Sequence, residues 1–213
     1  MNYRHLFFEH VGQTSTTPLA LHITKAEGSM LWDAAGKSYI DLIAGISVCH
    51  VGHRHPAVVD AIKKQLDQYL HIMVYGELVE SPQVEYATEL AAALPQTLNS
   101  VFFTASGSEA TEGAMKLAKR YTGRPNIVSF KNSYHGSTQG ALSVMGSEYW
   151  QQAFRPLLPG ITQLNYNVMA DLEAITTDTA CVIAETIQAE AGVHVPDKAW
   201  MQALRDKCTA VGA

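Results

Sequence analysis

Apolar and polar positions alternate along the first fifty residues, and the period then changes. Leu19 to Lys25, Ser29 to Trp32 and Ser38 to Ile43 alternate with period two, separated by the turn signals Glu27-Gly28 and Ala35-Gly36. This predicts the three short strands of a β-meander. From Pro56, a favoured first helical residue, Val58, Ala61, Ile62, Leu66, Tyr69 and Leu70 form an apolar stripe at helical spacing. A second helix follows Ser81-Pro82, with Val84, Ala87, Leu90, Ala91 and Leu94 inward, and stops at Pro95. Val101 to Phe103 reads as a short buried strand. The helix after it carries one apolar face of Ala110, Ala114, Leu117, Ala118 and Tyr121. Further strands are expected at Asn126 to Phe130, Leu164 to Tyr166 and Ala180 to Glu185. Helical segments are expected before Gly146, at Asp171 to Ile175, and from Pro196 through Trp200, Ala203 and Leu204 to about Cys208. Strands alternating with helices predict an α/β fold, a mainly parallel sheet with flanking helices. The change of texture divides residues 1–55, with the meander, from 56–213. Gly212 is placed to cap the last helix where a further strand is due, so the chain is expected to be a truncated protein.

The turn between Phe103 and the following helix has the strongest local signal. Ser106 and Glu109 have capping-box spacing, which fixes the helix start. Gly107 lets a ligand approach the main chain, and the free N–H groups there make a seat for phosphate or carboxylate. A well-capped helix with nothing bound reads equally well from this stretch alone.

Composition narrows the classes. The 213 residues are 47% hydrophobic and 16% charged, enough for a substantial core, and the net charge of −5 gives no reason to expect nucleic acid or an anionic membrane. No stretch near the start is laid out as a signal peptide, and no apolar run is long enough for a bilayer. Cys49, Cys181 and Cys208 are widely spaced and read as reduced cysteines of a cytoplasmic protein. His50, His53 and His55 have no helix-face ligand spacing, so no metal site is expected. Dinucleotide, Walker-type and serine-elbow glycine motifs are absent.

In open α/β sheets ligands sit outside the carboxyl ends of the strands. Three loops leave strands there: Ser106-Gly107-Ser108, Tyr134-His135-Gly136, and Glu185-Thr186-Ile187-Gln188 through Glu190. They offer an anion seat, an aromatic face and two carboxylates, which suits a phosphorylated, electron-poor aromatic ligand. Each part also has an ordinary reading, as an exposed loop pair or a structural carboxylate.

These residues in this order resemble the class III aminotransferases, fold-type I enzymes dependent on pyridoxal phosphate that include the ornithine, acetylornithine and 4-aminobutyrate enzymes. The resemblance covers Trp32-Asp33 with Gly36-Lys37, Gly45-Ile46-Ser47-Val48 with Gly52-His53-Arg54-His55-Pro56, and Ser106-Gly107-Ser108-Glu109-Ala110 with Glu112. It continues through Tyr134-His135-Gly136 and Glu185 to Gly192. It implies that residues 56–213 are an incomplete large cofactor-binding domain. It assigns Ser106, Gly107 and Ser108 to the cofactor phosphate, Tyr134 to stacking on the ring with His135 beside it, and Glu185 to the cofactor's surroundings. Glu190, Ser47 and Val48 fall to the substrate. The resemblance further implies a homodimer that moves an amino group from an amine or amino acid to a 2-oxo acid. Ser137 stands where several members have arginine, which argues against 4-aminobutyrate-type specificity. The family's Schiff-base lysine and the aspartate that pairs with the pyridine nitrogen have no counterpart among these residues. The nine lysines, Lys25 to Lys207, all occupy other positions, so the 213-residue chain holds no catalytic residue and is expected to be inactive by itself. The alternative is a non-catalytic interaction module built on the same half fold.

Overall fold

The computed structural model describes residues 1–73 and 76–213 and falls into two compact units, Met1–Val84 and Glu85–Ala213. The first unit opens with helix α1 (Tyr3–His10), followed by an antiparallel meander of β1 (Ile23–Glu27), β2 (Met30–Asp33) and β3 (Ser38–Ile40). Its second turn is built by Asp33. Oδ1 accepts the amides of Ala35 and Lys37, both at 2.9 Å, and Oδ2 accepts the Tyr39 hydroxyl at 2.8 Å. The chain then makes a short helical turn, α2 (Ala44–Ser47), followed by α3 (Pro56–Leu66). Val58, Ile62 and Leu66, which belong to the apolar stripe of α3, are exposed.

Helix α4 (Ser81–Ala93) spans the division between the units. The second unit contains α5 (Gly107–Thr122), β4 (Asn126–Phe130), α6 (Gln139–Val144), α7 (Glu148–Gln151), β5 (Ile161–Leu164), β6 (Thr179–Val182) and α8 (Lys198–Val211). A short 3-10 segment, Met169–Ala174, stands where a helical turn is expected at 171–175. The sheet is parallel in the order β5-β4-β6, as the alternation of strands and helices predicts. Period-two burial divides β4 between two cores. Ile127 packs with Met115 of α5 and Val144 of α6, while Val128 and Phe130 pack with Trp200 and Leu204 of α8. Helices therefore cover both faces. The Phe130, Tyr166 and Trp200 rings meet edge to face, with Phe130–Trp200 centroids 5.2 Å apart. At the far end of α8, Arg124 Nη1 donates to the carbonyls of Thr179, Val211 and Gly212 at 3.1, 2.9 and 2.9 Å.

Three further expectations change. Val101–Phe103 forms no strand, because no second strand lies beside it among the described residues; Phe102 is 78% exposed. The strand expected at 164–166 lies earlier, at 161–164, since Ile161–Leu164 pairs with Ile127–Phe130 and the Asn165 amide turns to the Asp171 carboxylate at 2.8 Å. On α5 the apolar stripe points outward, with Leu117 68% and Tyr121 89% exposed, while Met115 is the residue the sheet buries.

Candidate functional site

The N-terminus of α5 is closed by Ser106 and Glu109 as expected, with the glutamate's return bond shifted one residue before the N-cap. Ser106 Oγ accepts the Glu109 amide at 3.2 Å, and Glu109 Oε2 reaches back to the Ala105 amide at 2.8 Å. Among the described residues, the amides of Gly107 and Ser108 have no protein acceptor, and a Cβ built on Gly107 would meet nothing within 4 Å. Two unpaired N–H groups at the positive end of a sixteen-residue helix, beside open space, fit a dianionic phosphate ester by charge and donor type.

The loop leaving β4 leans against this turn. Gly136 has φ +116°, and a Cβ there would lie 2.3 Å from Ser108 Oγ and 2.9 Å from Ser108 Cα, so only glycine permits the approach. The Ser137 amide donates to Ser108 Oγ at 3.2 Å, and Thr111 Oγ1 donates to the His135 carbonyl at 2.9 Å. Tyr134 is held through its main chain and is 47% exposed, leaving its ring accessible. His135 Nε2 is buried without a hydrogen-bond partner. Burial pushes the His135 imidazole below its ordinary pKa, against a smaller opposing pull from the Glu185 charge.

Glu185 follows β6. Oε1 accepts the Tyr134 amide at 2.8 Å and Oε2 the Ala189 amide at 3.0 Å, tying the two loops together. Tyr166 donates its hydroxyl to the Glu185 and Thr186 carbonyls at 3.0 and 3.2 Å; burial first, and then the Glu185 charge, raise its pKa. Gln188, buried and bonded from Nε2 to the Lys131 carbonyl at 2.9 Å, pairs its main chain with His194. That pairing closes a short loop, and Glu190 is exposed on it. The structure thus brings Ser106, Gly107, Ser108, Tyr134, His135 and Glu185 into one bonded cluster of the second unit.

Ser47 and Val48 belong to the first unit. Ala44, Gly45, Ile46 and Ser47 all have positive φ, between 49° and 65°, a run in which each non-glycine residue costs roughly 1 kcal/mol. Asp41 anchors the segment, accepting the Ile43 and Ala44 amides at 3.1 and 2.9 Å on Oδ1 and facing His53 Nε2 at 2.6 Å on Oδ2. The His53 bond, the Ala44 amide and the Ile43 amide all lower the Asp41 pKa, the first most and against a desolvation that raises it. Ser47 lines a cavity of about 330 Å³ with Asp41, His50 and His53, and Val48 is exposed.

Thr111, Glu112, Gly136 and Gly140 are structural parts of the cluster to which sequence reading gives no role, although Glu112 and Gly136 stand within its motifs. Helical spacing marks the first two, since Ser108, Thr111 and Glu112 stand at i, i+3 and i+4 on one face. For Gln188 no such signal exists, because its partner is a carbonyl 57 residues away.

The chain is 42% identical over 206 residues to the acetylornithine aminotransferase of Methanopyrus kandleri, covering 95% of this chain and 51% of that protein. In structure it is similar to the adenosylmethionine-8-amino-7-oxononanoate aminotransferase of Methanocaldococcus jannaschii (TM-score 0.92, 28% identity, 99% of this chain and 53% of that one). It is likewise similar to the taurine:2-oxoglutarate aminotransferase of Bifidobacterium kashiwanohense in complex with PLP and glutamate (TM-score 0.89, 27% identity, 99% and 53%). The chain spans about half the length of the curated relatives it matches. A family model described as aminotransferase class-III matches residues 11–213, and the chain belongs to that family.

Proposed function

We propose that this chain is the N-terminal part of a pyridoxal-phosphate-dependent aminotransferase that moves an amino group from an amine or amino acid to a 2-oxo acid. The observation that carries this is the unpaired amide pair at Gly107 and Ser108, bonded through Ser108 Oγ to the loop bearing the accessible Tyr134 ring. When bound, pyridoxal phosphate supplies an electron-poor ring that spreads the negative charge developing at the substrate's α-carbon. Gly107 and Ser108 hold the phosphate with main-chain N–H groups, and Ser106 keeps the turn open by capping the helix. Tyr134 offers its ring face. Glu185 fixes Tyr134 by holding its amide, and the half-buried His135 is held beside it through its carbonyl. Glu190, Ser47 and Val48 are assigned to the substrate. In this reading residues 56–213 form an incomplete large domain preceded by the segment 1–55, and the working enzyme is a cytoplasmic homodimer. Among the described residues no helix is long and apolar enough to cross a membrane. The matched relatives are aminotransferases by name, which favours the enzyme over a non-catalytic interaction module.

Titration of the 213-residue chain with pyridoxal phosphate, followed by absorption, tests the seat. Binding is expected to saturate, to be competed by inorganic phosphate, and to weaken about tenfold in Gly107→Pro, which removes one seat amide at a position where proline suits the helix. No saturable binding, or an unaffected variant, would overturn the reading. With an amino donor and a 2-oxo acid added, no repeated turnover is expected, because no lysine of this chain matches the family position; sustained turnover would refute that.

A further inference from the structure

Helix α6 has no side-chain cap of its own. Its first amides are taken instead by a carboxylate from another helix. Glu112 Oε1, on α5, accepts Thr138 Oγ1 at 2.7 Å, the Gly140 amide at 2.8 Å and the Ala141 amide at 3.1 Å. A Cβ on Gly140 would lie 2.1 Å from Glu112 Oε2, so this glycine is what lets the carboxylate come in. The other ties from α5 to the loop, at Ser108 and Thr111, are single bonds to neutral groups. Charge-assisted bonds are roughly twice as strong as neutral ones, and here three converge on one oxygen.

We propose that Glu112 is a positioning residue, which pins the far end of the Tyr134–Thr138 loop to α5 and so sets the Tyr134 ring over the Ser106–Ser108 seat. The proposal rests on the cofactor reading above. Tyr134 is slung between two carboxylates: Glu185 takes its amide, and Glu112 holds the chain from four residues further on. The seat amides belong to α5 itself and do not depend on the loop. Loss of Glu112 therefore weakens the hold on a ring and spares the hold on a phosphate, a split that general destabilisation does not produce.

The test compares the full 213-residue chain with Glu112→Ala, Glu112→Gln and Gly140→Ala. Three measurements are made: amide hydrogen exchange of residues 134–141 without ligand, affinity for pyridoxal phosphate by absorption, and affinity for inorganic phosphate by phosphorus NMR. In Glu112→Ala and Gly140→Ala, exchange is expected to rise and pyridoxal phosphate affinity to fall, each about tenfold, the low end for loss of a group that orients a binding residue. Inorganic phosphate affinity should stay within about twofold, since its seat amides lie on α5. Glu112→Gln, which keeps an acceptor oxygen in the same place, should recover most of both losses. Unchanged exchange in the two variants, or phosphate and cofactor affinities falling together, would overturn the proposal. Should Glu112→Ala fail to fold, Gly140→Ala decides, since it keeps the carboxylate and only displaces it. A parent chain that binds neither ligand defeats the cofactor reading, while the exchange data still decide whether Glu112 holds the loop.

Discussion

Substitution of Gly136 by alanine is the sharpest probe of the geometry that brings the aromatic loop to the anion seat. Two costs arise. At φ +116° an alanine sits in a region that costs about 1–2 kcal/mol for a residue with a Cβ. The new methyl would also stand 2.3 Å from Ser108 Oγ and 2.9 Å from Ser108 Cα. The second atom is backbone, so the loop has to retreat by about 1 Å to reach ordinary contact, breaking the Ser137–Ser108 bond at a net cost of about 1 kcal/mol. Together these come to about 3 kcal/mol. Gly123, the left-handed cap of α5 at φ +71°, has open space around its Cβ direction, so Gly123→Ala carries the backbone cost alone, about 1 kcal/mol. With a urea m-value of about 2 kcal/mol/M, the midpoints should fall by about 1.5 M and about 0.5 M respectively. Adding Ser108→Ala removes the nearer obstacle and leaves the Cα, so rescue of Gly136→Ala should be partial. Equal midpoint shifts for the two glycine variants would refute the close approach.

Arg124→Ala should destabilise the second unit by about 2 kcal/mol in urea unfolding, because three carbonyls lose their shared donor. His135 titrates below its unfolded value, so the unfolded chain binds the extra proton first. Stability is then fully present above the unfolded pKa of about 6.5 and lost as pH falls from there towards the depressed folded value. Unfolding midpoints at pH 7.5 and 5.5 should differ less in His135→Gln than in the parent chain, and an equal difference would count against the buried imidazole. Burial raises the Cys181 and Cys208 thiols, so both should react with a disulfide reagent more slowly in the native chain than in urea.

What the sequence makes legible is what local chemistry decides. The capping box at Ser106 and Glu109, the Glu27-Gly28 and Ala35-Gly36 turns, strand β4 and the Gly212 cap depend on residues within a few positions of one another, and all are found where local pattern puts them. Val101–Phe103 has the composition of a strand, but a strand is defined by its neighbour, and local composition does not supply one. The stripe on α5 is a true apolar periodicity. Which face of a helix meets the sheet is settled by packing, and here Met115 takes that place while Leu117 and Tyr121 point away. In the candidate site, motif order picks out the seat, the tyrosine loop and Glu185. The bonds that join them cross 24 to 51 residues of chain and have no local signature.

The tie that Arg124 makes to the end of α8 also bears on the birth of the protein. The central strand of the second unit is the first of its three to leave the ribosome, and its neighbours in space follow it in time. Arg124 then waits a further 88 residues for the Gly212 carbonyl, on the order of ten seconds at a typical translation rate. Until α8 is made, Val128 and Phe130, both buried in the finished sheet, have no helix to cover their face, although β5 and β6 close the two edges of β4 as they emerge. The face of β4 that bears Val128 and Phe130 is therefore buried later than the strand's two edges are paired.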